Sequence, residues 1–395
     1  MEATMIAGLV SFLASSPMTI GLFSTASSVG RSVGPFLITP WVDRSASKKR
    51  CLLWLWAGVV LSWGAAAAYL WTPLAADRGR TLGWFFLCYS AFFTFLGCAA
   101  VAQGSLLGKI IPADRRGHAL SAAHSISGPV NLCALLAVYS LVRSGAFPTP
   151  RNYAFSFTIT TVLFLLSGVA VARAREVPSA SPRDKGGLRL RLVHARNLIR
   201  DNRDFRLLLG IQLALGTGGA ALAFYTAYGR ATGSIQDANV VLATLLQVGC
   251  QSAAAATLGR LADRRGNRAV IRVLLWLEAF TPVSAVLAAS LFPGTGAFLV
   301  VYCLVGARFP VYDLLVNYLL EIVPEADHAM ALGAVNTLLV VTVGSPVLLG
   351  FLAARAGYAV AMLAAAVVLA SAAITALFLA EPRQRFGAPR TAREP

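Results

Sequence analysis

Acidic residues and histidines are scarce in this chain of 395 residues, which has 17 Asp and Glu and four His against 34 Lys and Arg. The histidines show no metal-ligand spacing, and the six cysteines form no C-x-x-C pair. The segment 104–109 (GSLLGK) is one residue short of a phosphate-binding Walker loop. We therefore expect no metal site, no cofactor and no enzymatic activity.

Charge as a whole is also sparse, at 13% of residues, while 57% are hydrophobic. Apolar runs near 20 residues recur along the chain, and each could cross about 30 Å of hydrocarbon as a helix. We predict an all-α membrane protein of about 12 spans, the first short or truncated. Spans 1 to 12 are 5–14, 19–42, 51–71, 82–107, 119–142, 153–172, 207–228, 238–258, 269–291, 297–320, 330–353 and 358–380.

The net charge of +17 raises the alternative of nucleic-acid binding. If the loops with Asp43-Arg44 and Asp263-Arg264 are cytoplasmic, 26 of the 34 Lys and Arg lie in cytoplasmic loops or the C-terminal tail. This is the positive-inside bias of membrane proteins, so the charge indicates orientation and we expect no nucleic-acid partner. We predict a bacterial-type inner (plasma) membrane protein with both termini cytoplasmic.

Two pairs of loops indicate an internal repeat. Asp43-Arg44 and Asp263-Arg264 lie 220 residues apart, and Pro112 and Pro324 open similar loops 212 residues apart. The repeat predicts two pseudo-symmetric six-helix bundles. The predicted divisions are an N-terminal half at 1–172, a cytoplasmic basic linker with an amphipathic helix at 173–206, a C-terminal half at 207–380 and a disordered cytoplasmic tail at 381–395.

The loop from Gly259 to Arg268 resembles a signature of the major facilitator superfamily: a glycine, three intervening residues, Asp-Arg, one further residue, a second glycine and more basic residues. The first copy has Thr39 and Ala46 at the glycine positions. The resemblance implies a transporter whose spans 1, 4, 7 and 10 line a central cavity. It also implies a conformational latch between the halves, for which the candidates are Asp43, Arg44, Asp263, Arg264 and, as a partner of Arg264, Glu321.

Span 10 is the richest in candidate site residues. Tyr302, Gly306, Phe309, Asp313 and Asn317 are spaced to share one helical face, which the resemblance places beside the cavity. Arg308 lies about 140° around the helix from Asp313. Ionisable groups inside spans are costly and mark functional sites, although both residues could instead satisfy neighbouring helices. Whether Asp313 exchanges a proton or pairs with Arg308 stays open, and Glu278 of span 9 is interpreted as structural.

Other spans carry further polar candidates. Gln247 and Gln251 of span 8 correspond to Ser27 and Arg31 of span 2 at the 220-residue offset, so both halves could border an aqueous path. Interhelical hydrogen bonding without transport is the alternative. The remaining substrate or coupling candidates are Gln103 in span 4, His124 in span 5 and Tyr225 in span 7.

The predicted function is secondary active transport of a small amphipathic organic solute by alternating access, as proton-coupled efflux by a monomer in the lipid bilayer. Tyr302, Phe309, Tyr225 and Gln251 favour an amphipathic solute over a sugar. Two alternatives stay open. One is a polytopic scaffold or sensor without a transport cycle, and the other is a membrane-embedded enzyme, for which a catalytic constellation is missing.

Overall fold

The structure is a computed structural model that describes residues 2–14, 16–45, 47–110, 130, 132–134, 136–140, 149–176, 198–292, 294–324 and 328–381. Within these ranges the regular elements are all helical, as predicted. Most of span 5, most of the basic linker and the C-terminal tail lie outside the described residues, and so do the predictions made for them.

Fourteen α-helices make up the described chain, numbered here in chain order. They are α1 Glu2–Leu13, α2 Pro17–Arg44, α3 Lys48–Trp71, α4 Arg78–Ile110, α5 Arg151–Arg173, α6 Arg203–Gly218, α7 Tyr225–Ala231, α8 Asp237–Arg265, α9 Asn267–Leu291, α10 Thr295–Ala307, α11 Pro310–Ile322, α12 His328–Leu339, α13 Ser345–Ala356 and α14 Tyr358–Ala376. Short 3₁₀ segments occur at Pro73–Ala76, Gly219–Ala223 and Val340–Gly344.

Nine stretches of the described residues are long and apolar enough to cross a membrane, counting helices that continue through a short interruption as one span. They correspond to predicted spans 3, 4 and 6 to 12. Helix α1 has 12 residues, which is shorter than the ~20 residues that a bilayer requires. The α-helical membrane fold predicted from composition is therefore confirmed.

The chain packs as two compact units that do not coincide with the two sequence halves. Unit 1 contains Met1–Lys185, Leu222–Leu245 and Val343–Ala361, and unit 2 contains Gly186–Ala221, Leu246–Thr342 and Met362–Pro395. Two of the boundaries fall at the 3₁₀ segments after α6 and α12. Segments of the second sequence half thus pack with the first half in unit 1.

Unit 1 is held by close helix crossings and an aromatic core. A methyl group at Gly30 of α2 would lie 2.7 Å from the backbone of Phe93 in α4, so this crossing requires glycine. Helix α2 also packs on α13, where a methyl group at Gly21 would overlap the Pro346 carbonyl oxygen. Small residues permit such backbone contact in membranes, where apolar burial alone does not drive helices together.

Unit 2 has its own apolar core, which combines buried residues from α6, α9, α11, α12 and α14. Leu208, Leu274, Leu315 and Tyr318 are each no more than 1% exposed in it. Helices α8 and α10 cross at Gly306, whose Cα faces the backbone between Gln247 and Gln251. This crossing fixes span 8 against α10, the part of span 10 that carries the candidate Tyr302.

We expect Gly306→Ala to destabilise unit 2, because the added methyl would overlap the Gln247 carbonyl oxygen. Overpacking of this kind costs about 1–3 kcal/mol. The matched control is Gly296→Ala in the same helix, where nothing lies within 4 Å of the new methyl. The melting temperature of the detergent-purified protein should fall for Gly306→Ala and not for Gly296→Ala. Equal melting temperatures would show that the crossing is looser than described.

Candidate functional site

Three spans of the second half are interrupted near their middle. Span 7 changes to 3₁₀ helix at Gly219–Ala223, span 11 does so at Val340–Gly344, and span 10 breaks at Arg308–Phe309 between α10 and α11. The break in span 10 follows from Pro310, which lacks the N–H that would continue the helix. Interrupted helices expose backbone polar groups inside a membrane, which is tolerated where they line a cavity or a site.

A buried ion pair lies at the break in span 10. Arg308 caps α10 and its Nη1 pairs with Oε1 of Glu278, which projects from α9. The arginine is 2% exposed and the glutamate 0%. The phenol of Tyr312 lies beside the pair and interacts electrostatically with both side chains. Of the alternatives left open for Arg308, pairing with Asp313 or with a neighbouring helix, the structure shows a pair with Glu278 of the neighbouring helix α9.

The break also divides the predicted face of span 10. Tyr302 and Gly306 are buried, the latter against span 8, whereas Phe309 is half-buried and Asp313 and Asn317 are exposed. The helical hydrogen-bonding pattern is interrupted at Arg308–Phe309, between the buried and the exposed members of this face, and the assignment of all five to one cavity-lining face stays a prediction. Asp313 stands in the first turn of α11, and the described residues place no ion pair on it.

The candidates of span 8 adjoin this break. Gln247 is 2% exposed and Gln251 is half-buried, and both flank the contact with Gly306. Spans 8, 9 and 10 therefore bring Gln247, Gln251, Tyr302, Glu278 and Arg308 into one part of unit 2. Their role in binding a solute stays a prediction.

The candidates in unit 1 lie on separate helices. The Arg31 guanidinium lies 4.5 Å from the ring centroid of Phe93, Gln103 is exposed and Tyr225 is 1% exposed. His124 lies outside the described residues. The arginine is thus engaged by an aromatic face of α4 in a cation–π contact.

The predicted latch is described only in part. The side chains of Asp43, Arg44, Asp263 and Arg264 lie outside the description, although their backbones end α2 and α8. Glu321 accepts a hydrogen bond from Asn267 Nδ2 at 2.9 Å. Its predicted pairing with Arg264 therefore stays a prediction, and Asn267, at the start of α9, is a partner that sequence reasoning missed.

Glu176, which follows α5, is a residue of the basic-loop region that sequence reasoning also missed. Its carboxylate accepts hydrogen bonds from Ser47 Oγ at 2.9 Å, Lys48 N at 2.9 Å and Lys49 N at 2.8 Å. These are the groups at the N-terminus of α3, where the helix dipole favours a negative charge. Glu381 lies near the N-terminus of α9, since a methyl group on the N-cap residue Gly266 would lie 2.8 Å from Glu381 Oε1.

We expect Glu176→Gln to destabilise unit 1 by about 1–2 kcal/mol, because an amide loses the charge and one acceptor at the helix terminus. Thermal melting of the purified protein measures the effect. Arg175→Gln is the control, because it alters the charge at the neighbouring exposed position. If the two variants melt alike, Glu176 does not hold α3.

Arg230 of α7 joins three elements at the ends of the helices opposite the basic loops. Its Nη1 donates to the Gly8 carbonyl oxygen at 2.8 Å and to Ser11 Oγ at 2.9 Å, and its Nη2 donates to Tyr153 Oη at 3.3 Å. Gly8 and Ser11 belong to α1 and Tyr153 to α5. A side chain from the second half of the sequence therefore binds the ends of two first-half helices, α1 and α5, within unit 1. We call these four residues the Arg230 clasp.

Solved transporter structures resemble this chain over nearly its whole length. The xylose transporter XylE from E. coli, in a partially occluded inward-open conformation, matches with a TM-score of 0.69 and 14% identity over 96% of this chain and 94% of that chain. The nucleoside transporter NupG has a TM-score of 0.64 and 13% identity over 95% and 94%. The E. coli fucose:proton symporter FucP has a TM-score of 0.58 and 15% identity over 96% of both chains.

These structural matches establish the common fold of two six-helix bundles. A comparison with curated proteins finds no match. The family model of the Major Facilitator Superfamily matches residues 1–338, more than four-fifths of the chain. The chain belongs to the Major Facilitator Superfamily.

Proposed function

We propose that this protein is a secondary active transporter that moves a small amphipathic organic solute by alternating access, coupled to protons. The observation that carries the proposal is the interruption of spans 7, 10 and 11 near their middle. Discontinuous helices at mid-membrane form the solute and ion sites of secondary transporters. A scaffold or sensor does not require interrupted spans or a buried ion pair, and both are energetically unfavourable inside a membrane.

The Arg230 clasp supports alternating access, because it closes one end of unit 1 and a transport cycle must open it. The neighbours named as proton symporters support protons as the coupling ion. We propose a monomer in a bacterial-type inner membrane. For direction we propose efflux, and the aromatic residues Tyr225, Tyr302 and Phe309 support an amphipathic solute.

The function is tested by thermal stabilisation of the purified protein with a panel of small organic solutes, followed by flux of each stabilising solute into liposomes. Saturable flux that responds to an imposed pH gradient is expected. Accumulation in inside-out vesicles that are acidic inside supports efflux, and accumulation in right-side-out vesicles that are acidic outside supports import. Stabilisation without flux for every solute supports a sensor and overturns the proposal.

Orientation is tested by cysteine labelling. We expect Ser179→Cys to be protected from an impermeant reagent in intact cells and Gly145→Cys to be labelled, each in a protein whose six native cysteines are replaced. The reason is the excess of Lys and Arg in the loops assigned to the cytoplasm. Labelling of Ser179→Cys from outside would reverse the orientation.

A further inference from the structure

A groove of about 380 Å³ runs along the surface of unit 2 between α9 and α14. Its lining includes Trp276, Ala279, Phe280, Leu363, Ala366 and Ala370. We propose that this groove binds one acyl chain of an anionic phospholipid, whose phosphate is held by Arg268 and Arg272 at the end of the groove. The inference goes beyond the proposed transport function and does not depend on which solute is moved.

The composition of the groove indicates that it faces hydrocarbon. Trp276, Phe280 and Val367 on its rims are each at least 47% exposed, whereas Ala279 and Ala366 between them are buried. Small residues between large ones leave a channel along the helix pair. Because every lining side chain is aliphatic or aromatic, the channel suits an acyl chain, whereas an aqueous path is expected to carry polar side chains.

The two arginines continue the groove towards the start of α9. Arg268, Arg272 and Trp276 are spaced four residues apart, so they lie on successive turns of one helical face. Arg272 Nε donates to the Ala376 carbonyl oxygen at 2.9 Å, and its Nη2 donates to the Leu377 carbonyl oxygen. These contacts hold the guanidinium between α9 and α14, at the end of the channel. They use two of the five N–H donors of the group.

The charges at this end favour an anion. Arg268 and Arg272 repel each other, and the carboxylate of Glu381 attracts Arg272, so two positive groups face one negative group. Nε of Arg268 is buried and makes no hydrogen bond to the described residues. A phosphate group can accept hydrogen bonds from both guanidinium groups and relieve their repulsion. Basic clusters between spans near the membrane surface bind lipid head groups in this way.

The length of the site matches one leaflet of the bilayer. From Arg272 to Val283, the lining residue farthest along α9, the helix rises about 16 Å. Half of the hydrocarbon thickness is about 15 Å. A phosphate at Arg272 therefore places its acyl chain along the whole groove. A helix of a second protein copy, with a diameter of about 10–12 Å, is too wide to enter a channel of this volume between the rims.

Native mass spectrometry of the full chain in detergent tests the head-group contact. Palmitoyl-oleoyl phosphatidylglycerol should bind more tightly than phosphatidylcholine with the same chains. Arg268→Gln and Arg272→Gln should each weaken binding of phosphatidylglycerol about fivefold. Arg355→Gln, which alters an exposed arginine of α13, is the control and should leave binding unchanged. Equal binding of the two lipids, or binding that neither groove arginine affects, overturns the inference.

A second variant tests the acyl-chain contact and leaves both arginines in place. Ala370→Phe should fill the groove and weaken binding of phosphatidylglycerol, whereas Val360→Phe, on an exposed part of the same helix outside the groove, should not. Arg272→Gln also loses two hydrogen bonds to α14, so Arg268→Gln and Ala370→Phe decide the outcome if that variant does not fold. Unchanged lipid binding in Ala370→Phe overturns the inference. A lipid-free dimer that Ala370→Phe dissociates also overturns it and assigns the groove to a second copy of the chain.

Discussion

Arg308→Gln is expected to destabilise the folded chain by about 3–5 kcal/mol, the largest effect of any single substitution considered for this protein. The substitution leaves Glu278 fully buried and charged, with its ion-pair partner removed. Removing one partner of a buried pair costs more than the pair itself contributes, because the remaining charge stays out of water. Glu278→Gln should act in the same direction, since the guanidinium would then lack its counter-charge.

The double variant separates this explanation from simple loss of packing. With both charges removed, Glu278→Gln/Arg308→Gln should be more stable than either single variant, because no isolated charge remains buried. Thermal or denaturant melting of the four proteins gives the coupling between the two positions. Additive losses, with the double variant least stable, would mean that the two side chains do not act as a pair.

Arg230→Ala is expected to destabilise unit 1 by about 2–3 kcal/mol. Each hydrogen bond to a charged group contributes about 1.5–3 kcal/mol, but water can form hydrogen bonds to the groups that lose Arg230, so the total loss is smaller than the sum. The substitution removes three hydrogen bonds from one guanidinium to Gly8, Ser11 and Tyr153. Arg230→Lys should lower the stability by less than Arg230→Ala does. The lysine ammonium keeps the charge but cannot donate hydrogen bonds in the planar, forked geometry of a guanidinium.

The control for the clasp is Arg355→Ala at the end of α13, where the arginine is exposed and lies over the Phe351 ring at 5.3 Å. Its melting temperature should stay close to that of the wild type. If Arg230→Ala and Arg355→Ala melt alike, the clasp does not hold the ends of α1, α5 and α7 together.

The membrane fold and the family follow from patterns that the sequence carries locally. Long apolar runs predict spans, and the repeated Asp-Arg loops identify the superfamily without any knowledge of helix rotation. The partner of Arg308 could not be found in this way. Glu278 is 30 residues away on another helix, and the choice between it and Asp313 depends on how α9 and α10 face each other.

The break at Arg308–Phe309 is a second feature that helical spacing alone does not contain. The spacing from Tyr302 to Asn317 assumes one uninterrupted helix, whereas in the structure α11 begins at Pro310, with Tyr302 buried before it and Asp313 and Asn317 exposed after it. Arg230 and Glu176 were missed for a different reason. Both lie at the end of a span, where charged residues indicate the orientation of the chain in the membrane but not their contacts. Their partners are more than 70 positions away in the sequence.

Proton movement in liposomes tests the central claim of proton-coupled solute transport most directly. The full chain is reconstituted in vesicles loaded with a pH-sensitive dye, and a solute that stabilises the purified protein is added outside. We predict a saturable change in internal pH that requires the protein. An internal pH that follows that of protein-free vesicles at every concentration of each stabilising solute would contradict the account.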